Sequence, residues 1–163
     1  MQLKPLVAAS LVAFVSLSSH AAATNWGVHD ALEPGGAFSP AGFIDDTYKF
    51  TLGSSFVVSS SVYSLFGTIA PSSYSIFSVG GDNIIGTADD MGLYAYTFST
   101  APTVHSVVLG AGNYYYAVFG KSMAPTAYAI SSAIAPVPEP ETYAMLLAGL
   151  GVIGFLARRR RIG

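Results

Sequence analysis

The 163-residue sequence has no cysteine, which excludes disulfides, thiolate nucleophiles and zinc-thiolate centres. Charge is scarce too: 10% of the residues are Asp, Glu, Lys or Arg, against the ~25% usual in soluble domains. Between Thr24 and Ala135 the only basic side chains besides histidine are Lys49 and Lys121, set against seven acids. A body of that sign cannot neutralise a phosphate backbone, so nucleic acid is not an expected partner. Apolar surface, in contrast, is abundant. With 52% hydrophobic and 13% aromatic residues, the middle of the chain can bury one core of ordinary domain size and does not read as disordered.

The two ends differ from the middle. Met1 to Lys4 carries one lysine, Leu6 to Leu17 is almost wholly apolar, and Ser18-Ser19-His20 leads into Ala21-Ala22-Ala23. That order predicts a secretory signal peptide over residues 1–23. Ala21 and Ala23, the third and first positions before the scissile bond, suit the shallow pockets of signal peptidase, so the expected cut precedes Thr24. The apolar run would span only ~18 Å of a ~30 Å hydrocarbon core, too little for a retained anchor.

At the other end, residues 136–142 form a proline-rich linker that no helix can include. Residues 143–157 are free of charge and predict a transmembrane helix, and segment 158–163 holds Arg158, Arg159, Arg160 and Arg161. Four arginines beside an apolar helix act as a membrane stop and stay cytoplasmic, leaving the body on the far side. As a helix the run measures ~22 Å, a marginal span that suits a transient stay in the inner membrane.

The Val137-Pro138-Glu139-Pro140 motif, the Leu146 to Leu150 run and the arginine block, in that order, resemble the PEP-CTERM sorting signal of Gram-negative bacteria. The resemblance covers Val137 to Ile162. It implies recognition of the Pro-Glu-Pro by an exosortase, removal of the tail, and delivery of the body to the cell surface or to a biofilm exopolysaccharide matrix. Glu139 would then be a ligand for the processing enzyme, with no catalytic role of its own. Gly42-Phe43-Ile44-Asp45-Asp46-Thr47-Tyr48-Lys49-Phe50 is similar to the Phe-x-Asp-x-Phe segment of one PEP-CTERM subgroup, with an extra residue between Asp45 and Tyr48. Leu109-Gly110-Ala111-Gly112-Asn113-Tyr114-Tyr115-Tyr116 looks like the glycine turn and aromatic strand near the end of bacterial pre-peptidase C-terminal sandwich domains.

Across the body, residues 24–135, apolar and polar residues alternate and Tyr, Phe, Val, Ile, Thr and Ser dominate, the pattern of strands. Seven are predicted: Thr47 to Leu52, Phe56 to Tyr63, Tyr74 to Val79, Leu93 to Phe98, Thr103 to Leu109, Tyr114 to Phe119 and Ala127 to Ile134. Glycine, proline, asparagine and aspartate clusters separate them. The expected fold is all-β, an antiparallel β-sandwich of jelly-roll type flanked by a signal helix and a transmembrane helix.

Catalysis needs a nucleophile or metal with a tuned partner, and the inventory is thin. His20 leaves with the leader, so His29 and His105 remain, and isolated histidines are usually surface or edge residues. Gly120-Lys121-Ser122-Met123-Ala124 approaches a nucleophile elbow but ends in alanine and lacks the strand-to-helix setting. Asp45 and Asp46 are adjacent on a strand and should point to opposite faces, which prevents them from acting as a catalytic pair. Asp82, Asn83, Asp89 and Asp90 surround a glycine turn and could hold Ca²⁺, though without the acid spacing of an EF-hand; turn hydrogen bonding explains them more simply. Tyr114 and Tyr116 should share one face with Tyr115 opposite, and Tyr94 and Tyr96 should likewise align. Such rings usually fill cores, but rows of them also stack on sugars. The expected protein is a non-enzymatic surface or matrix component without a cofactor, meeting signal peptidase, an exosortase and, in some form, extracellular polysaccharide. The alternative is a carbohydrate-binding module supported by Ca²⁺.

Overall fold

The computed structural model describes residues 21–137, 145–150 and 152–153. Nine strands follow one another: β1 (Ala23–Val28), β2 (Leu32–Ser39), β3 (Gly42–Leu52), β4 (Phe56–Phe66), β5 (Ile69–Ser78), β6 (Met91–Thr97), β7 (His105–Leu109), β8 (Gly112–Ser122) and β9 (Thr126–Pro136). They form two sheets, ordered β1-β3-β8-β5-β6 and β2-β9-β4-β7.

From β2 onward the chain behaves as one long antiparallel ribbon bent at the loop after β5. Strand β2 pairs with β9, β3 with β8, β4 with β7 and β5 with β6, all antiparallel. Rolling that ribbon brings β5 against β8 and β4 against β9, again antiparallel. The resulting sheets, β2-β9-β4-β7 facing β3-β8-β5-β6, have the strand order of an eight-stranded jelly roll. Strand β1 is added at the edge of the five-stranded sheet and runs parallel to β3, a departure from the antiparallel expectation.

Period-two alternation sets the faces. On β3 the side chains of Ile44, Asp46, Tyr48, Phe50 and Leu52 are buried, and on β8 those of Tyr114, Tyr116 and Val118 meet them in the core. The core is rich in tyrosine, whose hydroxyl needs a partner once buried, and small polar residues of the facing sheet supply it. Tyr74 of β5 reaches Ser60 of β4 at 3.3 Å, and Tyr116 of β8 reaches Ser132 of β9 at 2.8 Å. These cross-layer bonds explain why Ser60 and Ser132 can lie fully buried among apolar side chains.

Strands β1 and β2 lie outside the seven strands expected from the sequence. Pro34, Gly35 and Gly36 disguise β2, yet a proline is tolerated there because β2 is an edge strand. Gly36 has φ +151° and lies so close to the Tyr128 carbonyl that a Cβ would collide with it. The anticipated transmembrane helix over 143–157 is not supported: residues 145–150 and 152–153 are helical, but among the described residues no helix is long and apolar enough to cross a membrane. Residues 1–20 of the expected signal peptide 1–23, with Pro138, Glu139, Pro140 and Arg158 to Arg161, lie outside the described residues.

Candidate functional site

Four places gather the polar and aromatic side chains that could act. The first lies at the β1 edge. Asp46 stands in the inward register of β3, 4% exposed, while its neighbour Asp45 faces solvent, so the two acids do point to opposite sides. The Ala22 backbone N–H donates to Asp46 Oδ1 at 2.7 Å, and the Tyr128 hydroxyl donates to Oδ2. Tyr48 continues the chain, its hydroxyl 2.8 Å from that of Tyr128. Burial pushes the Tyr48 phenol up to about 12 and raises Tyr128 as well, the nearby Asp46 charge adding to both shifts.

The second place is the seam between β1 and β2. His29 is 5% exposed, not a surface residue as expected. Its Nδ1 lies 2.5 Å from the Asp30 carbonyl, which can only accept, so Nδ1 carries the proton. Nε2 lies 2.7 Å from the Ser132 hydroxyl, from which it accepts in the neutral ring, and Ser132 is bonded in turn to the Tyr116 hydroxyl at 2.8 Å. Phe50 meets the imidazole edge-on at 5.2 Å and Trp26 lies 6.2 Å away, also edge-on. The sequence offered little warning, since His29 sits in a Gly/Pro-rich stretch and Ser132 is remote in the chain.

The opposite seam, between β6 and β7, carries the third cluster. Tyr94 and Tyr96 are parallel within 3°, their centroids 6.5 Å apart, and His105 stacks on Tyr96 at 3.9 Å. They occupy the inward register of β6, but that strand is an edge, so Tyr94 stays 40% exposed. Tyr114 and Tyr116 fill the core as the alternation requires, and Tyr115 lies on the other face, stacked on Phe77 at 4.9 Å.

The fourth is the loop at the ribbon's bend. Asp82 Oδ1 accepts from the Ile84 N–H at 2.9 Å, and the single hydroxyl proton of Thr87 is placed for Asp89 Oδ1 at 2.7 Å, with Asp82 Oδ1 at 3.3 Å. Asp90 accepts from the Gly80 and Gly86 N–H groups and from Tyr115. These donors hold both carboxyls below the ordinary range, Asp89 chiefly through Thr87 and Asp90 chiefly through Gly80. Asn83, at φ +59°, is gripped by Lys49, whose Nζ donates to its carbonyl and side-chain oxygens, each at 2.9 Å. The four residues Asp82, Asn83, Asp89 and Asp90, weighed as Ca²⁺ ligands against turn bonding, are brought into one loop, with most of their oxygens engaged in hydrogen bonds within it and to Lys49 and Tyr115. Among the described residues no three His, Asp or Glu side chains cluster as a metal site.

The elbow candidate dissolves into regular strand. Ser122 ends β8, is buried, and finds no hydrogen-bond partner among the described residues, while Lys121 sits over the Phe43 ring on the other face. At the termini, Ala21, Ala23 and Thr24 are exposed beside the β1 edge, and Val137 follows the last residue of β9.

Comparison with known proteins bears on the end of the chain. The PEP-CTERM protein-sorting motif matches residues 136–161. No curated protein matches the chain. Among solved structures, the pre-peptidase C-terminal domain of a collagenase from Bacillus anthracis is similar, with 14% identity, a TM-score of 0.47, and coverage of 68% of this chain and 93% of that one. The order of proline-flanked glutamate, apolar run and arginine block agrees with the matched motif, which exosortases recognise and which directs export and surface sorting in Gram-negative bacteria. The chain therefore carries a PEP-CTERM protein-sorting motif over residues 136–161.

Proposed function

We propose that the protein is a non-enzymatic component of the bacterial surface or of an exopolysaccharide matrix, whose jelly-roll body is the cargo and whose ends are processing signals. The sorting motif at residues 136–161 is the observation that carries this reading. In it, signal peptidase removes the leader, the tail pauses in the inner membrane, and an exosortase acts at Val137 to Pro140. The helical residues Met145, Leu146, Leu147, Leu150, Val152 and Ile153 are all exposed, and a helix apolar on every side suits lipid better than water. A non-enzymatic body agrees with the state of its histidines: His29 has both ring nitrogens occupied beneath the surface, and His105 lies face to face with Tyr96. The test is fractionation of the native host with and without its exosortase. Loss of the body from the surface and matrix fractions is expected when the enzyme is absent; unchanged distribution would contradict the assignment.

A second reading, a carbohydrate-binding module, is favoured by the parallel Tyr94 and Tyr96 rings, because the outer face of Tyr94 is open to a sugar ring. Ca²⁺ in the Asp82 to Asp90 loop would support it. Retention of the exported protein on a glycan array, lost in Tyr94→Ala, would establish this reading. A shift in melting temperature with millimolar Ca²⁺ would establish the ion.

A further inference from the structure

Asp46 raises a problem of charge. Its carboxylate is 4% exposed, and the lysines of the body are engaged elsewhere, Lys49 with Asn83 and Lys121 with Phe43. Among the described residues its donors, the Ala22 N–H and the Tyr128 hydroxyl, are neutral, and burial of a carboxylate without a cation is unfavourable and rare. One of its two donors is the backbone nitrogen of Ala22, 2.7 Å from Oδ1, a distance suited to a charge-assisted bond. Ala22 is half-buried, its carbonyl accepts the Thr47 N–H at 2.8 Å, and Ala21 before it is exposed.

We infer that signal peptidase cuts between Ala21 and Ala22, and that the freed α-ammonium of Ala22 docks on Asp46 as a buried ion pair that completes the mature fold. The inference rests on the exported reading above and moves the expected cut two residues toward the leader. Hydrolysis adds water across the Ala21 to Ala22 bond: the hydroxyl goes to the Ala21 carbonyl carbon, and the Ala22 nitrogen leaves as an amine. With an ordinary α-amine pKa of ~7.7–8.0, that amine takes a further proton from solvent at neutral pH. The neutral donor facing Asp46 becomes a cation without moving.

Sequence and geometry agree on this bond. Ser19 and Ala21 occupy the third and first positions before it, both small enough for the peptidase. A cut before Thr24 would discard Ala22 and Ala23. Asp46 Oδ1 would lose the Ala22 donor, Thr47 N–H would lose its acceptor, and the first rung of the parallel β1 to β3 pairing, Ala23 to Thr47, would vanish. The three exposed or half-buried alanines before Thr24 then have distinct tasks: Ala21 fits the enzyme, Ala22 supplies the ammonium and Ala23 begins the strand.

N-terminal sequencing of the full protein exported by its native host tests this directly. Ala22-Ala23-Thr24-Asn25 is expected. Thr24 at the terminus would overturn the inference and leave the export reading intact, whereas Met1 would overturn both. Two variants sharpen the result. Ala21→Gln, which sits at a small-residue position for either bond, should block processing, whereas Ala23→Gln should leave it unchanged; loss of processing in Ala23→Gln contradicts the inference. On the exported protein, an amine-reactive ester at neutral pH should label the Ala22 terminus at least about tenfold more slowly in the folded state than in urea, since pairing with Asp46 favours the unreactive cation. Asp46→Asn should remove that protection, and equal rates in folded and unfolded wild type would refute the ion pair even if the variant fails to fold.

Discussion

The sandwich has two flanks built from similar residues with opposite outcomes. Where β1 and β2 meet, Trp26 and His29 lie against Phe50, and His29 bonds Ser132, which in turn bonds Tyr116. Where β6 and β7 meet, Tyr94, Tyr96 and His105 stack on one another, and the outermost ring faces solvent. Each flank pairs aromatics with a histidine. On the first, the added parallel strand β1 seals the gap between the sheets and turns them into core; on the second, no further strand among the described residues covers them. Residue type therefore predicts neither role, and edge position with partner saturation does.

The comparison can be broken by substitution in the exported protein. The largest effect is expected for Trp26→Ala, about 3–5 kcal/mol lost in urea unfolding, because its ring lies 5.1 Å from Tyr48 and covers the core of the sealed flank. Next comes alkaline pH. Tyr48 and Tyr116 are pushed up to about 12 by burial, so the folded state holds their protons while the unfolded chain releases them near the ordinary phenol value of 10.0. Their contribution is complete below about pH 10 and is lost as pH rises towards about 12, roughly 2–3 kcal/mol each. Phenolate absorbance in the folded protein should lag behind that of the urea-unfolded chain across this window, and coincident curves would break the burial argument. His29→Leu should cost about 1–3 kcal/mol, since the Ser132 hydroxyl loses its imidazole partner in the core. On the open flank Tyr94→Ala should change stability by less than about 0.5 kcal/mol. A large loss there would show that the ring is structural after all.

The bend loop gives a subtler contrast with the buried Asp46. Asp89 is exposed and Asp90 half-buried, and their carboxyls are held low by turn donors, so their effect on the loop is present above the unfolded carboxylate pKa and fades as pH falls through the folded values. Protection of the Gly80 and Gly86 amides against hydrogen exchange, taken relative to the unfolded chain at the same pH, should fall below about pH 4 while the core amides stay protected.

Most of the sandwich was legible. The strands from β3 onward, the glycine turns, the split of Asp45 from Asp46 and the division of Tyr114 and Tyr116 from Tyr115 all follow from alternation. Strand β2 was not, because Pro34, Gly35 and Gly36 signal a turn unless one knows that the strand is an edge and that Tyr48, Ile130 and Trp26 crowd the space where a Gly35 Cβ would sit. The Asp46 cluster left a usable trace: Ile44, Asp46, Tyr48, Phe50 and Leu52 are every second residue, so an acid inside an apolar alternation was visible before its partners were. Those partners were hidden by distance, Tyr128 lying at a sequence separation of 82 and Ala22 at 24. The sorting signal was legible for another reason. It is read as a linear order of proline, apolar run and arginine, so it needs no fold to be recognised.

The most direct test of sorted export is the intact mass of the protein recovered from outside the native host, with its C-terminal residue sequenced. The account predicts a body that ends within residues 136–142 and lacks Arg158 to Arg161. Recovery of the chain only from the cytosol, still ending in Gly163, would contradict it.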